Sequence, residues 1–255
     1  MKGLKYSTRA SYSNYASDQE QFNRYNVNPE IVGTIKYDVK RYPTTTDNIS
    51  WDNILNYTAK WGDHDFSAMV GHTMETSKMS RTWAQGTGYG GYNDEFNSLN
   101  FAQFSQSTSG YTTSWTALGL LGRISYDYKD RYLLQANFRA DASSRFSKKN
   151  RWGYFPSVSA GWKINSESFM QNVDWISLLK LRAGWGQLGN NRIGNNAYAT
   201  YVGQQSATYI YGVGMPSIKP GMSISSYGNS DILWERTQST LSLIHISEPT
   251  RRVVI

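Results

Sequence analysis

Three histidines, two acidic pairs and one glycine-rich run are the groups whose types and spacing could do chemistry in this chain. His64, His72 and His245 would be the general bases or metal ligands, Asp63 with Asp65 and Asp94 with Glu95 the paired carboxylates. Gly86-Thr87-Gly88-Tyr89-Gly90-Gly91 has the G-x-G-x-x-G spacing of a dinucleotide cradle. None of these converges. His64 falls in a turn, His72 on an apolar strand face and His245 near the C-terminus, which leaves no catalytic or zinc triad. The carboxylate pairs read as solvated turns. The glycine run is expected to be a surface loop, with no strand leading into it and no amphipathic helix after it. Cysteine is absent, which excludes a disulfide framework, a zinc knuckle and a thiol nucleophile. The expectation is a non-enzyme with no catalytic, cofactor or metal site.

The rest of the composition points to a folded β-protein. Hydrophobic residues are 39% and charged residues 18% of the 255, with 15% aromatic, a balance that fits neither a disordered chain nor a coiled coil. Mean hydropathy is −0.58 and apolar runs last a few residues, far short of the ~18 that a membrane helix needs. The 26 Lys and Arg exceed the 19 Asp and Glu, giving +7, but they occur singly, as at Arg123, Arg139, Lys163 and Arg182. Only Lys148, Lys149 and Arg151 cluster, so no nucleic-acid surface is expected. Met1-Lys2-Gly3-Leu4-Lys5-Tyr6 leads into polar residues, without the apolar core of a secretory signal.

A period of two dominates. In 118–128, Leu118, Leu120, Ile124, Tyr126 and Tyr128 share one face, opposed by Arg123, Ser125 and Asp127. In 132–141, Tyr132, Leu134, Ala136, Phe138 and Ala140 oppose Gln135, Asn137, Arg139 and Asp141. A loop at Lys129-Asp130-Arg131 pairs 128 with 132, 126 with 134, 124 with 136 and 122 with 138, so turn and hydrophobic pattern demand the same register. An earlier hairpin joins the odd-numbered face of Trp51, Leu55, Tyr57, Ala59 and Trp61 to the even-numbered face of Phe66, Ala68, Val70 and His72. That switch of parity requires an even loop, and 62–65 supplies one. Further strands are expected at 4–14, 156–165 and 178–186 and from about 232, with a short helical turn at 166–172 capped by Ser166.

Long connections at 15–50, 75–117 and 187–231 tend to alternate with short ones at 62–65 and 129–131. Long antiparallel strands with short turns on one rim and long polar loops on the other are the pattern of an outer-membrane β-barrel. The alternating segment 31–39 is expected to extend a strand within an outer loop. A soluble sandwich also alternates, but its strands usually run about 5 to 6 residues and its core rejects Arg, Lys and Asp. Trp51, Trp61, Trp162 and Trp185 near strand ends suit interfacial girdles. A soluble or surface-attached carbohydrate-binding β-sheet domain remains the alternative.

The stretch Arg139-Ala140-Asp141-Ala142-Ser143-Ser144-Arg145-Phe146, followed by Asn150-Arg151-Trp152-Gly153-Tyr154-Phe155-Pro156-Ser157 and on to Gly161-Trp162, resembles one family, the SusC/RagA-type TonB-linked outer-membrane proteins. Three further segments fit the resemblance in the same order. They are Trp51-Asp52-Asn53 to His64-Asp65-Phe66, Leu179-Lys180-Leu181-Arg182-Ala183-Gly184-Trp185-Gly186-Gln187-Leu188-Gly189-Asn190, and Leu233-Trp234-Glu235-Arg236-Thr237. The signature residues carried over are Asp141, Ser143, Ser144, Arg145, Phe146, Phe155, Pro156, Leu181, Arg182, Gly186, Gly189, Asn190, Trp234 and Glu235. Ala142 departs from the family's usual glycine, and its methyl group is tolerated if φ stays negative.

The resemblance implies an all-β fold, a partial antiparallel transmembrane barrel of about eight strands belonging to a larger, plugged barrel. It implies a bacterial outer-membrane location, import of an oligosaccharide or peptide, a SusD-like surface lipoprotein as lid, and TonB acting through a plug outside this stretch. Arg123, Gln135, Asn137, Arg139, Lys163, Lys180 and Arg182 are expected to face the lumen, and their apolar neighbours to face outer-membrane lipid. Residues 1–240 are expected to be barrel segment. Residues 241–255, which resemble translated sequencing-adapter read-through, are expected to be a non-native tail, the alternative being a genuine strand closed by Glu248-Pro249.

Overall fold

The computed structural model describes residues 3–26, 35–87, 99, 106–170, 173, 175–211 and 217–247. Asp94, Glu95, Ile31, Gly33, Asn172, residues 88–91 of the glycine run and Glu248, Pro249 and Arg251 lie outside that set. Ten strands follow in order: Leu4–Asn26 (β1), Ile35–Trp61 (β2), His64–Thr87 (β3), Gln106–Tyr128 (β4), Tyr132–Ser143 (β5), Trp152–Lys163 (β6), Leu178–Asn190 (β7), Tyr201–Tyr211 (β8), Ser217–Ser226 (β9) and Glu235–Ser247 (β10). Eight form one open sheet in the order β1-β2-β3-β4-β5-β6-β7-β10, while β8 and β9 pair separately.

The β4–β5 register is the one that turn and pattern demanded, with Tyr128 opposite Tyr132, Tyr126 opposite Leu134 and Gly122 opposite Phe138. Lys129 and Asp130 take positive φ of 56° and 51° in the connecting loop. The earlier hairpin is tighter than 62–65. Trp61 ends β2 and His64 begins β3, leaving Gly62-Asp63, with Gly62 at φ 58°, where glycine removes the steric cost of a two-residue turn. The loop length is even, as the change of parity requires. Ala142 is absent from the positive-φ residues, so its methyl group is accommodated.

Several expectations are corrected. The connections 15–50 and 75–117 are largely strand, because β1 to β4 continue well past the alternating apolar segments, and β3 therefore does lead into the glycine run at Gly86 and Thr87. Residues 35–39 extend β2, as the alternation there led one to expect. Residues 187–231 contain β8 and β9, and the last strand begins at Glu235 rather than 232. In place of a helical turn capped by Ser166 there are two 3-10 turns, Ile164–Ser166 and Ser168–Met170, so Ser166 closes the first instead of capping a helix.

The chain forms two compact units. One comprises Ala10–Ser50 and Glu75–Trp115, the strand continuations that composition alone presented as loops. Polar pairs link its strands: Tyr12 donates to Asp47 at 2.7 Å, Arg41 to Asp18 at 2.9 Å, and Arg81 lies 5.0 Å from the Tyr42 ring centroid. Such cross-strand pairs stabilise a ladder without an apolar face. The other unit, Met1–Arg9 with Trp51–Met74 and Thr116–Ile255, carries the two-faced sheet and the signature residues.

Candidate functional site: two faces and a signature knot

Register sorts side chains to faces, since directly opposed residues in an antiparallel pair point the same way. Arg123 lies opposite Asn137, Ser125 opposite Gln135, Asn137 opposite Ser157, Gly161 opposite Arg182 and Lys163 opposite Lys180. All seven residues expected to line a lumen thus share one face. Three of them form a single network. Arg123 Nε donates to Asn137 Oδ1 at 2.7 Å, Gln135 Nε2 donates to the same oxygen at 3.3 Å, and Asn137 Nδ2 donates to Ser157 Oγ at 3.0 Å. Arg139 instead turns to Asp141, its Nε 2.7 Å from both carboxylate oxygens. Lys163 and Lys180 would repel each other directly across the ladder, and Lys163 pairs with Asp130. Lys60, Asp65, Asp127, Gln135, Lys180 and Arg182 line a concavity of about 900 Å³ on this face. Leu133, Leu241 and Leu243 share the lining, so it offers apolar contact beside hydrogen bonding and ion pairing.

The opposite face is apolar and uncovered. Leu120 is 45% exposed, Ile124 54%, Leu134 54%, Phe138 50% and Val158 53%. A side-by-side array of half-bare aliphatic and aromatic groups is an interaction surface in any setting and a liability in water. At its short-turn end the rings join up: Trp61 stacks near His64 at 5.9 Å, His64 meets Tyr128 at 4.9 Å, Tyr128 meets Tyr132 at 6.4 Å, and Tyr132 meets Trp162 at 6.4 Å. His64 is engaged there, with Nδ1 2.7 Å from Tyr126 Oη, and His72 bonds Asn53 on the same face. His245 lies opposite Lys180 on the polar face, so the three histidines are apart. Asp63 and Asp65 pair with Lys129 and Lys60 at exposed sites, where ion pairs contribute little.

Glu167 anchors this belt. Tyr132 Oη donates to it at 2.6 Å, Trp162 Nε1 at 3.0 Å and Arg131 at 3.2 Å. Hydrogen bonds from Tyr132 and Trp162, then the Arg131 charge, hold its carboxyl below the usual carboxylate range. A depressed folded-state pKa contributes stability above the ordinary value of 4.5, and that contribution is lost as pH falls through the folded value. Thermal unfolding of the intact parent protein in detergent is therefore expected to move to lower temperature as pH drops below about 4.5, and Glu167→Gln should remove this part of the pH dependence. An unchanged pH profile in Glu167→Gln would show that the carboxylate plays no such part.

At the other end of β5 to β7, nine signature residues come together. Ser143 and Phe146 are fully buried, and Phe155 nearly so. The Phe146 and Trp234 rings stack at 5.0 Å, while Phe155 meets Trp234 edge-on at 5.5 Å. Gly153 and Gly189 flank the Phe155 ring so closely that a methyl group on either would overlap it. Polar groups tie the surrounding chain. Thr116 donates through its backbone N–H to Ser144 Oγ at 2.9 Å, Arg145 reaches Asn195 Oδ1 at 3.0 Å and the Asn191 carbonyl at 3.1 Å, and Asn190 Nδ2 donates to Glu235 at 2.7 Å. Trp234 Nε1 donates to the Arg151 carbonyl at 3.0 Å. The knot fastens segments near 143–151, 190–195 and 230–235. Five signature residues stand apart from it: Asp141 binds Arg139, Pro156 lies opposite Phe138 on the apolar face, and Leu181, Arg182 and Gly186 lie further down β7. Asn191, Asn195 and Asn150, which donates to the Ser230 and Ile232 carbonyls, complete the knot. Asn191 and Asn195 are signalled only by an asparagine-rich run without periodicity, while Asn150 stands in the resemblance stretch without being singled out.

No family model matches the chain. The TonB-dependent receptor SusC of Bacteroides thetaiotaomicron is 39% identical over 166 residues, which cover 60% of this chain and 16% of that protein. The TonB-dependent receptor P39 of Formosa agariphila is 31% identical over 264 residues, 98% of this chain and 23% of that protein. The chain thus spans less than a quarter of the length of either relative. Among solved structures, that of the RagAB peptide transporter superposes with a TM-score of 0.80 at 23% identity, over 97% of this chain and 27% of the matched one, a likeness of fold.

Proposed function

The chain belongs to the SusC/RagA-type TonB-dependent receptors, and on that premise we propose that it forms part of the wall and outer loops of a transporter in the bacterial outer membrane. The observation that carries this reading is the sheet's division into a bare apolar face and a hydrogen-bonded polar one. The face of Leu120, Ile124, Leu134, Phe138 and Val158 lies against lipid; that of Arg123, Gln135, Asn137, Arg139, Lys163, Lys180 and Arg182 lines the lumen. The intact protein imports an oligosaccharide or a peptide, with a SusD-like lipoprotein holding it at the surface and TonB supplying force from the periplasm. No covalent chemistry and no resident cofactor belong to this cycle.

Residues 241–247 continue β10 without a break. Leu241 and Leu243 lie opposite Gly184 and Arg182 on the polar face, while Ser242 lies opposite Ala183 on the apolar one. Ile244 and Ile246 return to the apolar face opposite Leu181 and Leu179, so apolar residues fall on both faces after residue 240 and the register does not separate 241–247 from the strand before it.

In cells making the intact parent protein, uptake of a fluorescent oligosaccharide or peptide is expected to stop when a protonophore is added or TonB is deleted. Uptake indifferent to both treatments, or capture at the surface without entry, would overturn the transporter reading.

A further inference from the structure

On the apolar face, one polar cluster is out of place. Tyr6 Oη donates to Asn53 Oδ1, and Asn53 Nδ2 lies 3.3 Å from His72 Nε2, with Trp51 edge-on to the imidazole at 5.5 Å. Asn53 is buried, and His72 Nδ1 is shielded from solvent without a hydrogen-bond partner among the described residues. The network fixes what the missing partner must be. With Asn53 Oδ1 accepting from Tyr6, its amide donates to His72 Nε2, so in the neutral ring Nδ1 carries the proton and requires an acceptor. A shallow groove of about 350 Å³ lies beside the cluster, its other wall formed by Leu55 and Val70. Among the described residues no Lys or Arg lines it, which disfavours an anionic group.

Position along the strand narrows the occupant further. Trp51 is ten residues from Trp61 in the girdle at the short-turn end. At about 2.6 Å of height per residue for a tilted strand this is about 26 Å, the height of an outer-membrane apolar band. The cluster therefore sits at the border between hydrocarbon and headgroups, with Leu55 and Val70 on its hydrocarbon side.

We propose that this groove binds one membrane lipid, its acyl chain along Leu55 and Val70 and an acyl-ester carbonyl accepting the hydrogen bond from His72 Nδ1. The inference rests on the apolar face meeting lipid, and recovery of the protein in the outer-membrane fraction tests that premise separately.

The test uses the intact parent protein, stripped of lipid in detergent and titrated with dioleoylphosphatidylcholine or with its diether analogue, which lacks the carbonyls. Lipid retained per protein is read by native mass spectrometry. Wild type is expected to hold the ester lipid about fivefold more tightly than the ether lipid, the factor set by one buried hydrogen bond. His72→Phe keeps the face apolar and should lose the preference, while His72→Gln, still a donor, should retain much of it. Equal retention of the two lipids by wild type, or the same preference in His72→Phe, overturns the proposal; the Nδ1 proton would then be satisfied by water or by a headgroup phosphate.

Discussion

Phe138→Arg in the intact parent protein is expected to lower the outer-membrane-assembled fraction by at least about tenfold, while Asn137→Arg, one residue away, leaves most of it. Phe138 is half exposed on the apolar face, opposite Gly122 and Pro156. It stands six residues from Tyr132 in the aromatic girdle, about 16 Å along the membrane normal and inside an apolar band about 25 Å tall. A guanidinium near the middle of such a band costs ~2 to 4 kcal/mol. Depth should grade the penalty. Ile124, four residues from Tyr128, lies nearer the midplane than Leu120, eight residues away, so Ile124→Arg should be worse than Leu120→Arg. Asn137→Arg sacrifices the acceptor used by Arg123 and Gln135 and adds a like charge, a loss of about 1 kcal/mol on a wetted face. Immunoblotting of outer-membrane fractions, with and without heating before electrophoresis, separates assembled from unassembled protein. Equal tolerance on the two faces would refute their assignment to lipid and lumen.

The two faces were legible because period two is a local property. From Leu118 to Asp141 the two faces followed from alternation plus a three-residue turn, with Leu121 and Leu133 as apolar exceptions on the polar face, and the register agrees pair by pair. The long extents of β1 to β4 were not legible. Around Tyr12, Asp47, Arg41 and Asp18 the strands are held by polar side-chain pairs, so no hydrophobic face announces them and the composition resembles loop. The segment 187–231 hid β8 and β9 for the same reason, being rich in Gly, Ser, Asn and Tyr without alternation. Resemblance supplied the signature residues as a string; folding separates them. Ser143 to Phe146, Phe155, Gly189 and Trp234 meet across segments more than 80 residues apart, a convergence no local pattern encodes. His72 was likewise read as one more apolar-face residue, since its bond to Asn53 and that of Asn53 to Tyr6 depend on pairing between three strands.

The knot carries the second large effect. Phe155→Ala should destabilise the intact protein by about 3 to 5 kcal/mol, because the ring is buried against Trp234 and the cavity cannot collapse onto two glycines. Gly189→Ala alone should cost about 1 to 3 kcal/mol: its new methyl group overlaps the Phe155 ring, which Gly153 and Trp234 keep from moving aside. The physical content lies in the pair. Gly189 has no positive φ to protect, so its absence of a side chain serves the ring and not the backbone. Once the ring is removed the methyl group fits, and Gly189→Ala/Phe155→Ala should be no less stable than Phe155→Ala, a coupling of the size of the single glycine penalty. Urea unfolding followed by Trp fluorescence measures all four corners of that cycle. Because Trp234, Arg145 and Asn190 bind the same segments, protease cleavage within 190–235 should accelerate in Phe155→Ala and return toward wild type in Phe155→Leu, which refills part of the space. Additive penalties in the cycle would mean that Gly189 is required for some purpose other than seating Phe155, and the knot would not be the fastening that holds these connections together.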